Sequence, residues 1–473
     1  MSKIESSLLC VYGHFSQPPR GNPLTQVVGI EEDAAPSRNW NERILNACYR
    51  PNAEAGNLHH ISFSVSEALM TWLERRAPDV YSAICEADRQ VTAEHDGAGS
   101  ALATAYHHII LPLARKRDKR TQIRWGIAAF EKHYGRKPLG FWLPEMAVDR
   151  ETLTLLAEAG IRYTVLARQQ VHGLLPAGED AGPYLVKLGR SQSMAVFVRD
   201  DRLSSDLSFN IHNLGGAGHW AHNALAPARK GIKTLLLATE GETFGHHHAG
   251  EEQFLYWLVT HEAASVGFRM TTLDSLYNAR AASHTITIED PSSWSDERGL
   301  ASWATGQVTE RQNTMWRGAL RRALDNVASE LDRAYEDLAR HHELDAWDLR
   351  NTYAPVVLGI TPADSFMAEN APGVASGATE ALKSLLTAQE LAQRMYNSYT
   401  FTASKLDSAQ PRYAIACAAA ALAIAQQATG RDDMDDRLLA DLSVVTTSDS
   451  SITAVDILRS VVEEFDLDLT LRD

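Results

Sequence analysis

The chain has 473 residues, of which 44% are hydrophobic, 22% charged and 8% aromatic, and this composition excludes a collagen-like, low-complexity or wholly disordered protein. Its length predicts two or three domains whose hydrophobic cores need no disulfide support. The 60 acidic and 45 basic side chains give a formal net charge of -15. An acidic surface repels phosphate backbones, so nucleic acid is not an expected partner.

Cysteine usage and the apolar runs favour a cytoplasmic protein. Cys10, Cys48, Cys85 and Cys417 are widely spaced and form no Cys-x-x-Cys pair, so we expect buried reduced thiols. The longest apolar run, Tyr413 to Ala425, has 13 residues, whereas a helix that spans a bilayer needs about 20. We therefore expect a tightly packed helix there and no membrane partner. The N-terminus shows no signal-peptide pattern.

Up to about residue 290, short β-type runs alternate with helical patterns. The runs predict strands at Ile4 to Tyr12, Tyr163 to Ala167, Met194 to Val198 and Thr234 to Thr239. The patterns between them predict helices at Ser66 to Arg75, Thr121 to Tyr134 and Arg150 to Ala159. Strands that alternate with helices form a parallel sheet, and the length favours a barrel over an open sheet. The fold class predicted for this part is α/β.

Beyond residue 300 the pattern becomes helical, because apolar residues recur at steps of three and four with charges between them. The predicted helices are Arg317 to His341, Ala378 to Ser398, Arg412 to Thr429 and a last one from Ser451. Ser283 to Asp296 is loop-like and is the candidate junction. We predict a barrel domain over residues 1–290 and an all-α helical domain over residues 291–473.

Polar residues follow three of the predicted strands, at the ends where α/β barrels build their active sites. Residues 13–20 follow the first strand, Trp142 to Glu145 follow a short apolar segment, and residues 240–248 follow the strand that starts at Thr234. Three such clusters at one end of a barrel predict an enzyme.

Glu145 lies between Pro144 and Met146, with Trp142 just upstream. Tryptophan faces stack on the apolar faces of sugar rings, and a carboxylate can attack an anomeric carbon. The alternative is an acid that favours the positive end of the helix beginning near Asp149.

Glu240 and Glu242 flank Gly241 directly after an apolar strand. Glycoside cleavage needs two carboxyl groups, of which one protonates the leaving oxygen while the other attacks carbon or activates water. Glu240 and Glu145 could meet at one barrel mouth, although a solvated loop acid is an alternative interpretation of Glu240.

The run His246-His247-His248 raises the possibility of a metal site, which Asp200, Asp201 or a distant histidine would have to complete. No His-Glu-x-x-His spacing is present, and sugar recognition or packing around Glu242 are the alternatives. His14 could likewise hydrogen-bond a sugar, orient a carboxylate or cap its strand. The sequence contains no Rossmann Gly-x-Gly-x-x-Gly after a strand, no P-loop and no Gly-x-Ser-x-Gly elbow.

These segments together resemble glycoside hydrolase family 57, and most closely its subgroup with a C-terminal helical domain of undescribed function. The matching stretches are GHFSQPPRGNP at 13–23, WNERI at 40–44, CYRPNA at 48–53, residues 105–127, residues 135–167 with FWLPE, and ATEGETFGHHHAGEE at 238–252. Fainter similarity continues at 291–295, 315–325 and 393–401.

The resemblance implies a (β/α)7-type distorted barrel followed by the helical domain, and an enzyme that acts on α-glucans with retention of configuration and without a metal or other cofactor. It makes Glu145 the nucleophile and Glu240 the general acid/base. The expected substrate-binding residues are His14, Gln17, Trp142, Glu242 and His246. Amylase, 4-α-glucanotransferase and branching activities are all compatible with it, and the oligomeric state is left open.

The sequence departs from the family pattern at several positions. Glu240 stands where the family has aspartate, and one extra methylene could move the carboxyl by about 1 Å. Ser16 replaces the second histidine of the family's His-Phe-His-Gln-Pro stretch, residues 97–102 lack its substrate-binding glutamate, and the subgroup's cysteines are absent around residues 293–303. The departures at Glu240 and Ser16 motivate a non-catalytic glucan-binding protein as an alternative, and the histidine run motivates a metal-dependent carbohydrate deacetylase. Trp294, Trp303 and Trp316 are expected to close the cleft or to pack in the core.

Overall fold

The computed structural model describes residues 7–173, 180–229, 231–282, 284–295, 300–310, 312–446, 452–469 and 471. The chain forms two compact units. The first, here called the sheet unit, comprises residues 1–17, 30–106 and 129–295. The second, the helical unit, comprises residues 18–29, 107–128 and 296–473. The boundary predicted at residue 290 stays a prediction, and the structure groups two segments of the N-terminal half with the helical unit.

The strands all belong to the sheet unit. They are β1 (Ser7–Phe15), β2 (Ser62–Val65), β3 (Ala103–Thr104), β4 (Phe141–Trp142), β5 (Tyr163–Ala167), β6 (Val171–His172), β7 (Tyr184–Lys187), β8 (Ser193–Arg199), β9 (Thr234–Glu240), β10 (Phe268–Met270) and β11 (Thr285–Ile288).

Parallel pairing dominates this unit. β1 pairs in parallel with β9, β10 and β2, β3 pairs with β4, and β5 pairs with β8 in a third sheet that also holds β7, β11 and β6. Single parallel bridges, Phe63 with Ala101 and Gly140 with Tyr163, link the sheets in the order β9-β1-β2-β3-β4-β5-β8. Over the described residues these pairings make three sheets and not one closed barrel ladder.

The interior of the sheet unit is built from alternate strand positions. One buried cluster contains Cys10 and Tyr12 of β1, Tyr163, Val165 and Ala167 of β5, Ala195 and Phe197 of β8, and Leu236 and Ala238 of β9. The residues between them, such as Val11 and Leu237, are also buried. Strands covered on both faces read as continuous apolar runs, which is why they were recognisable in the sequence.

Helices fill the rest of both units. The first twelve are α1 (Trp40–Ile44), α2 (Arg50–Glu54), α3 (Glu67–Arg76), α4 (Pro78–Glu94), α5 (Lys116–Tyr134), α6 (Arg150–Glu158), α7 (Asp201–Asn210), α8 (Gly216–Trp220), α9 (Ala226–Ala228), α10 (Glu252–Trp257), α11 (Ala263–Ser265) and α12 (Leu273–Ala279). The next ten are α13 (Ala301–Thr305), α14 (Trp316–His341), α15 (Ala346–Thr352), α16 (Ala354–Val357), α17 (Ala363–Asn370), α18 (Ser376–Arg394), α19 (Ser398–Thr402), α20 (Ala409–Thr429), α21 (Asp436–Ser443) and α22 (Ala454–Glu464).

The helical unit packs around α20, whose alanines 418–421 are fully buried. Small side chains allow neighbouring helices to approach closely, as predicted for this apolar run. No helix in the described part of the chain combines the length and the apolar character needed to cross a bilayer. The cysteines are free thiols, of which Cys10, Cys48 and Cys417 are buried and Cys85 is half-buried.

The predicted α/β part followed by an all-α part is confirmed. Two local predictions were wrong. β1 runs on to Phe15, because it pairs with neighbours on both edges to that point, so His14 lies within the strand and not after it; Ile4 to Ser6 lie outside the described residues. The loop predicted around Ser283 contains β11, whose β-branched run pairs with β7 and buries Ile286.

Candidate active site

The carboxyl ends of β1, β2 and β9 meet at one edge of the first sheet. The parallel register places His14 of β1 opposite Glu240 of β9 and, on the other side, opposite Ser64 of β2. His14 Nδ1 lies 2.7 Å from Ser64 Oγ, which also lies 2.5 Å from the Tyr12 hydroxyl. This network fixes the orientation of the His14 ring beside Glu240.

Trp142 attaches the FWLPE segment to the same edge. Its ring stacks on Tyr12 with centroids 4.4 Å apart and on His14 with centroids 5.5 Å apart. The side chain is only 6% exposed. Trp142 ends β4, and the rest of the FWLPE segment, up to Glu145, continues from it.

Glu145 lies in a one-turn 3-10 helix, Pro144–Met146, with a left-handed backbone (φ 57°, ψ 18°). Met146 also has a positive φ, of 45°. Non-glycine residues rarely adopt this region, and such strain is concentrated at functional sites. The buried amide of Gln170 holds the turn by donating to the Met146 carbonyl at 2.7 Å. Glu145 itself is half-buried.

Glu240, the last residue of β9, has a side chain that is 65% exposed. Its Oε2 lies 3.0 Å from Nε2 of His247. The hydrogen bond from His247 to Glu240 is the main reason why the pKa of His247 is raised above its ordinary value.

Glu242 has the opposite environment, because its side chain is buried. Its Oε1 accepts hydrogen bonds from the Tyr49 hydroxyl at 2.7 Å and from the Ser16 backbone N–H at 2.9 Å. Burial raises the pKa of Glu242 to about 7, with a smaller contribution from the charge of Glu240. The side chain of Gln17, which is also buried, hydrogen-bonds to Tyr49. Glu242 and Gln17 thus tie the end of β1 to the loop that follows β9.

The three consecutive histidines point to different partners. The His246 ring meets Trp40 edge-on with centroids 6.0 Å apart, His247 meets Glu240, and His248 Nε2 lies 3.0 Å from the Ser208 carbonyl oxygen. Within the described ranges, no three histidine, cysteine or acidic side chains are close enough together to hold a metal ion.

The aspartates considered as further metal ligands have local roles. Asp200 caps α7 by accepting from the Leu203 N–H at 2.7 Å, and Asp201 pairs with Arg199 at 2.8 Å.

Sequence reasoning did not single out several residues of this edge. Tyr49 holds Glu242 and Ser64 holds His14. Arg199, at the end of β8, donates to the Ala238 carbonyl at 3.0 Å and lies over the Trp294 ring. Tyr49 lay within the CYRPNA stretch quoted for the family, whereas only the strand register reveals Ser64.

Among the predicted site residues, His14 and Trp142 stack on each other, Gln17 and Glu242 share Tyr49 as a partner, and Glu240 lies opposite His14 in the β1–β9 register. His246 meets Trp40 edge-on. Trp294 packs against the interior cluster of the sheet unit. Trp303 and Trp316 are buried within the helical unit, which agrees with core packing.

Comparison with known proteins identifies the family. The sequence model for glycosyl hydrolase family 57 matches residues 35–289, which is more than half of the chain. This protein belongs to glycosyl hydrolase family 57. The model of a domain of unknown function, DUF3536, matches residues 312–469 of this family 57 protein. The resemblance drawn from the sequence is confirmed.

Curated relatives share only part of this family 57 chain. α-Amylase 1 of Dictyoglomus thermophilum is 26% identical over 207 residues, which are 43% of this chain and 29% of the relative. The 1,4-α-glucan branching enzyme of Thermococcus kodakarensis is 44% identical over 55 residues, 11% of this chain and 8% of the relative. The chain therefore spans less than a third of either relative.

Solved structures share the fold at low sequence identity. An exo-type maltose-forming amylase from Pyrococcus sp. ST04 has a TM-score of 0.72 at 15% identity, covering 96% of this chain and 88% of its own. The 4-α-glucanotransferase of Thermococcus litoralis has a TM-score of 0.56 at 16% identity, covering 90% and 60%. The family 57 branching enzyme of Pyrococcus horikoshii has a TM-score of 0.55 at 16% identity, covering 98% and 95%.

Proposed function

We propose that this family 57 protein is a cytoplasmic retaining enzyme that cleaves or transfers α-glucan chains. One observation carries the proposal: the strained Glu145 turn follows Trp142, whose ring stacks on His14, and His14 lies opposite Glu240 in the β1–β9 register. We expect this arrangement to bring the two carboxyl groups to one edge of the sheet unit, with the Trp142 ring between them. The relatives named as amylase, branching enzyme and glucanotransferase support the substrate class.

In the proposed mechanism Glu145 attacks the anomeric carbon while a proton from Glu240 neutralises the leaving oxygen, which gives a covalent glycosyl-enzyme. In the second half Glu240 takes a proton from the acceptor, whose oxygen displaces Glu145. Water as the acceptor gives hydrolysis, and a glucan hydroxyl gives transfer or branching. His14, Gln17, Trp142, Glu242 and His246 would bind the sugar, with Trp142 offering a flat apolar face.

The test of this function is Glu145→Gln, which keeps the shape of the side chain and removes the nucleophile. With amylose and maltoheptaose as substrates, we expect the variant to lose more than about a hundredfold of turnover and still to bind glucan, because loss of a transition-state interaction lowers kcat. Glu158→Gln, an exposed acid at the end of α6, is the matched control and should keep full activity. NMR of the first product released by the wild-type protein should show the α-anomer.

A second candidate is a glucan-binding protein without turnover. Glutamate at position 240 stands where the family has aspartate, and its side chain is exposed and paired with His247. These features favour this alternative over other non-catalytic roles. Binding of maltoheptaose with no product from amylose, at any pH between about 5 and 8, would select it. Turnover in Glu145→Gln above about one hundredth of the wild-type rate would contradict the assignment of the nucleophile.

A further inference from the structure

His247 gives Glu240 a partner that the two-carboxylate mechanism does not require. Its Nε2 lies 3.0 Å from Glu240 Oε2, and the histidine and glutamate side chains are 44% and 65% exposed. The pair is therefore open to solvent and to a substrate, and it differs in this from the buried Glu242.

The backbone holds His247 in this position. The Glu242 carbonyl accepts the N–H groups of both His246 (3.0 Å) and His247 (2.9 Å), which folds the chain after β9 back toward Glu240. The side chain of Glu242 is itself held by Tyr49 and Ser16. Gly245 within this turn has φ +128°, and a Cβ there would lie 2.2 Å from the Ala47 carbonyl oxygen. The contact between His247 and Glu240 thus follows from an anchored turn.

The charges around His247 favour its protonated form. Glu240 and, more weakly, Glu242 raise the pKa of the imidazole, while partial burial opposes them. Among the described residues, the His246 ring also faces His247, with centroids 5.1 Å apart. At neutral pH the imidazolium is therefore better populated than in an ordinary histidine.

We propose that His247 is a positioning residue that orients Glu240 and stores the proton that Glu240 delivers. The inference rests on the proposed function. As the glycosidic C–O bond breaks and the bond from Glu145 to C1 forms, the proton passes from His247 Nε2 to Glu240 Oε2, and from the Glu240 carboxyl to the leaving oxygen. When the acceptor oxygen then displaces Glu145 from C1, the acceptor's proton moves to Glu240 and back to His247, so both residues return to their starting states.

This arrangement also accounts for glutamate at position 240. Aspartate, one methylene shorter, would withdraw the carboxylate by about 1 Å and weaken a hydrogen bond that is now 3.0 Å long. The longer acid and the histidine act as one unit.

His247→Gln tests the proposal, because glutamine still offers an N–H donor to Glu240 but holds no titratable proton. The wild-type kcat should decline on the alkaline side as His247 loses its proton. In the variant the decline should begin at least about one pH unit lower, with kcat at pH 7.5 reduced about tenfold or more and KM changed less than about threefold. His248→Gln, on the same turn but bonded to Ser208, is the control and should keep the wild-type profile. Superimposable wild-type and His247→Gln profiles would overturn the proposal.

NMR titration of the imidazole supplies a readout that does not depend on turnover. In Glu240→Gln the midpoint pH of the His247 titration should fall relative to wild type, because the carboxylate that favours the imidazolium is gone. An unchanged midpoint would show that Glu240 and His247 do not interact. A wild-type protein that forms no product from any α-glucan would instead overturn the proposed function and, with it, the proton-storage role. If the wild-type protein is active and the pH profile of kcat is the same in His247→Gln, the proton-storage role is wrong and the proposed function stands.

Discussion

Glu242 is the most buried carboxylate of the candidate active site, and its burial raises its pKa to about 7. It was predicted to bind substrate, and that role stays a prediction. In the structure it accepts hydrogen bonds from Tyr49 and Ser16 and so holds together two loops that carry other site residues. The ionisation of Glu242 is therefore expected to make the stability of the protein depend on pH.

Glu242→Gln should flatten the pH dependence of stability. The pKa of Glu242 rises from 4.5 in its ordinary state to about 7 in the folded protein. Between these values the unfolded chain has released the proton and the folded chain has not, so stability falls as pH rises, by up to about 3 kcal/mol. Glutamine keeps an acceptor for Tyr49 and never ionises. The unfolding temperature of the variant minus that of the wild type should therefore increase as the pH rises from about 4.5 to 7.

The comparison needs an acid on the protein surface. Glu158→Gln, which is exposed, should follow the wild-type curve at every pH. A difference in unfolding temperature between Glu242→Gln and wild type that stays constant across this range would contradict the assignment.

At the scale of elements, the turn after β9 decides where Glu240, Glu242 and His247 lie. Gly241 and Gly245 make this turn possible: a Cβ at 241 would lie 2.3 Å from the Phe15 ring, and one at 245 would meet the Ala47 carbonyl. The position of Gly241 between two acids, directly after an apolar strand, is visible in the sequence. Only the structure shows that Gly245 lies close to Ala47, in the segment between α1 and α2.

Gly245→Ala should therefore be costly for both stability and turnover. The substitution places a Cβ against backbone at a φ of +128°, which L-residues rarely adopt, and the turn must shift. We expect a loss of at least about 2 kcal/mol together with a fall in kcat. Gly250→Ala is the control, since its φ is +83° but nothing lies within 4 Å of the added methyl group. Equal losses of unfolding temperature in the two variants would show that the contact with Ala47 contributes nothing.

The strands show how far local pattern reaches. β5, β8 and β9 were predicted to within one residue at each end, because strands buried on both faces must be apolar throughout. β11 was missed because a short, half-exposed strand has too few apolar residues to stand out from a loop. Its existence depends on a partner, β7, about 100 residues earlier in the chain.

At the scale of the whole molecule, the helical unit is not confined to the C-terminal part of the sequence. Residues 107–128 belong to it and supply charged and aromatic partners for its interior. Arg350, only 1% exposed, donates to Asp118 at 2.7 Å, and its backbone carbonyl accepts from the Trp125 indole at 3.1 Å. His107 likewise contacts the buried Glu390 at 2.9 Å. The stretch matched by DUF3536, residues 312–469, contains Arg350 and Glu390 but not residues 107–128.

A fragment of residues 296–473 should consequently fail to fold on its own. Removal of one partner from a buried ion pair costs about 3–5 kcal/mol, and the fragment would leave the buried Arg350 without Asp118. Glu390 would lose its contact with His107 and keep its ion pair with Arg394. We expect no cooperative thermal transition in near-UV circular dichroism, and a transition that appears when a peptide of residues 105–130 is added. A cooperative transition of the isolated fragment at the temperature seen in the full chain would contradict this.

The sequence by itself determined the family, the succession of an α/β part and a helical part, and the placing of acids at strand ends, because periodicity, apolar runs and motif spacing are properties of short stretches of chain. Tertiary structure alone decided the partners. His247 meets Glu240, Tyr49 meets Glu242 and Asp118 meets Arg350 because strand register and helix packing bring together residues whose separation in sequence carries no signal. A run such as residues 115–120, rich in charge, has the composition of an exposed helix, yet Lys119 is 2% exposed. Burial of that kind depends on what packs against the helix, and no local pattern contains that information.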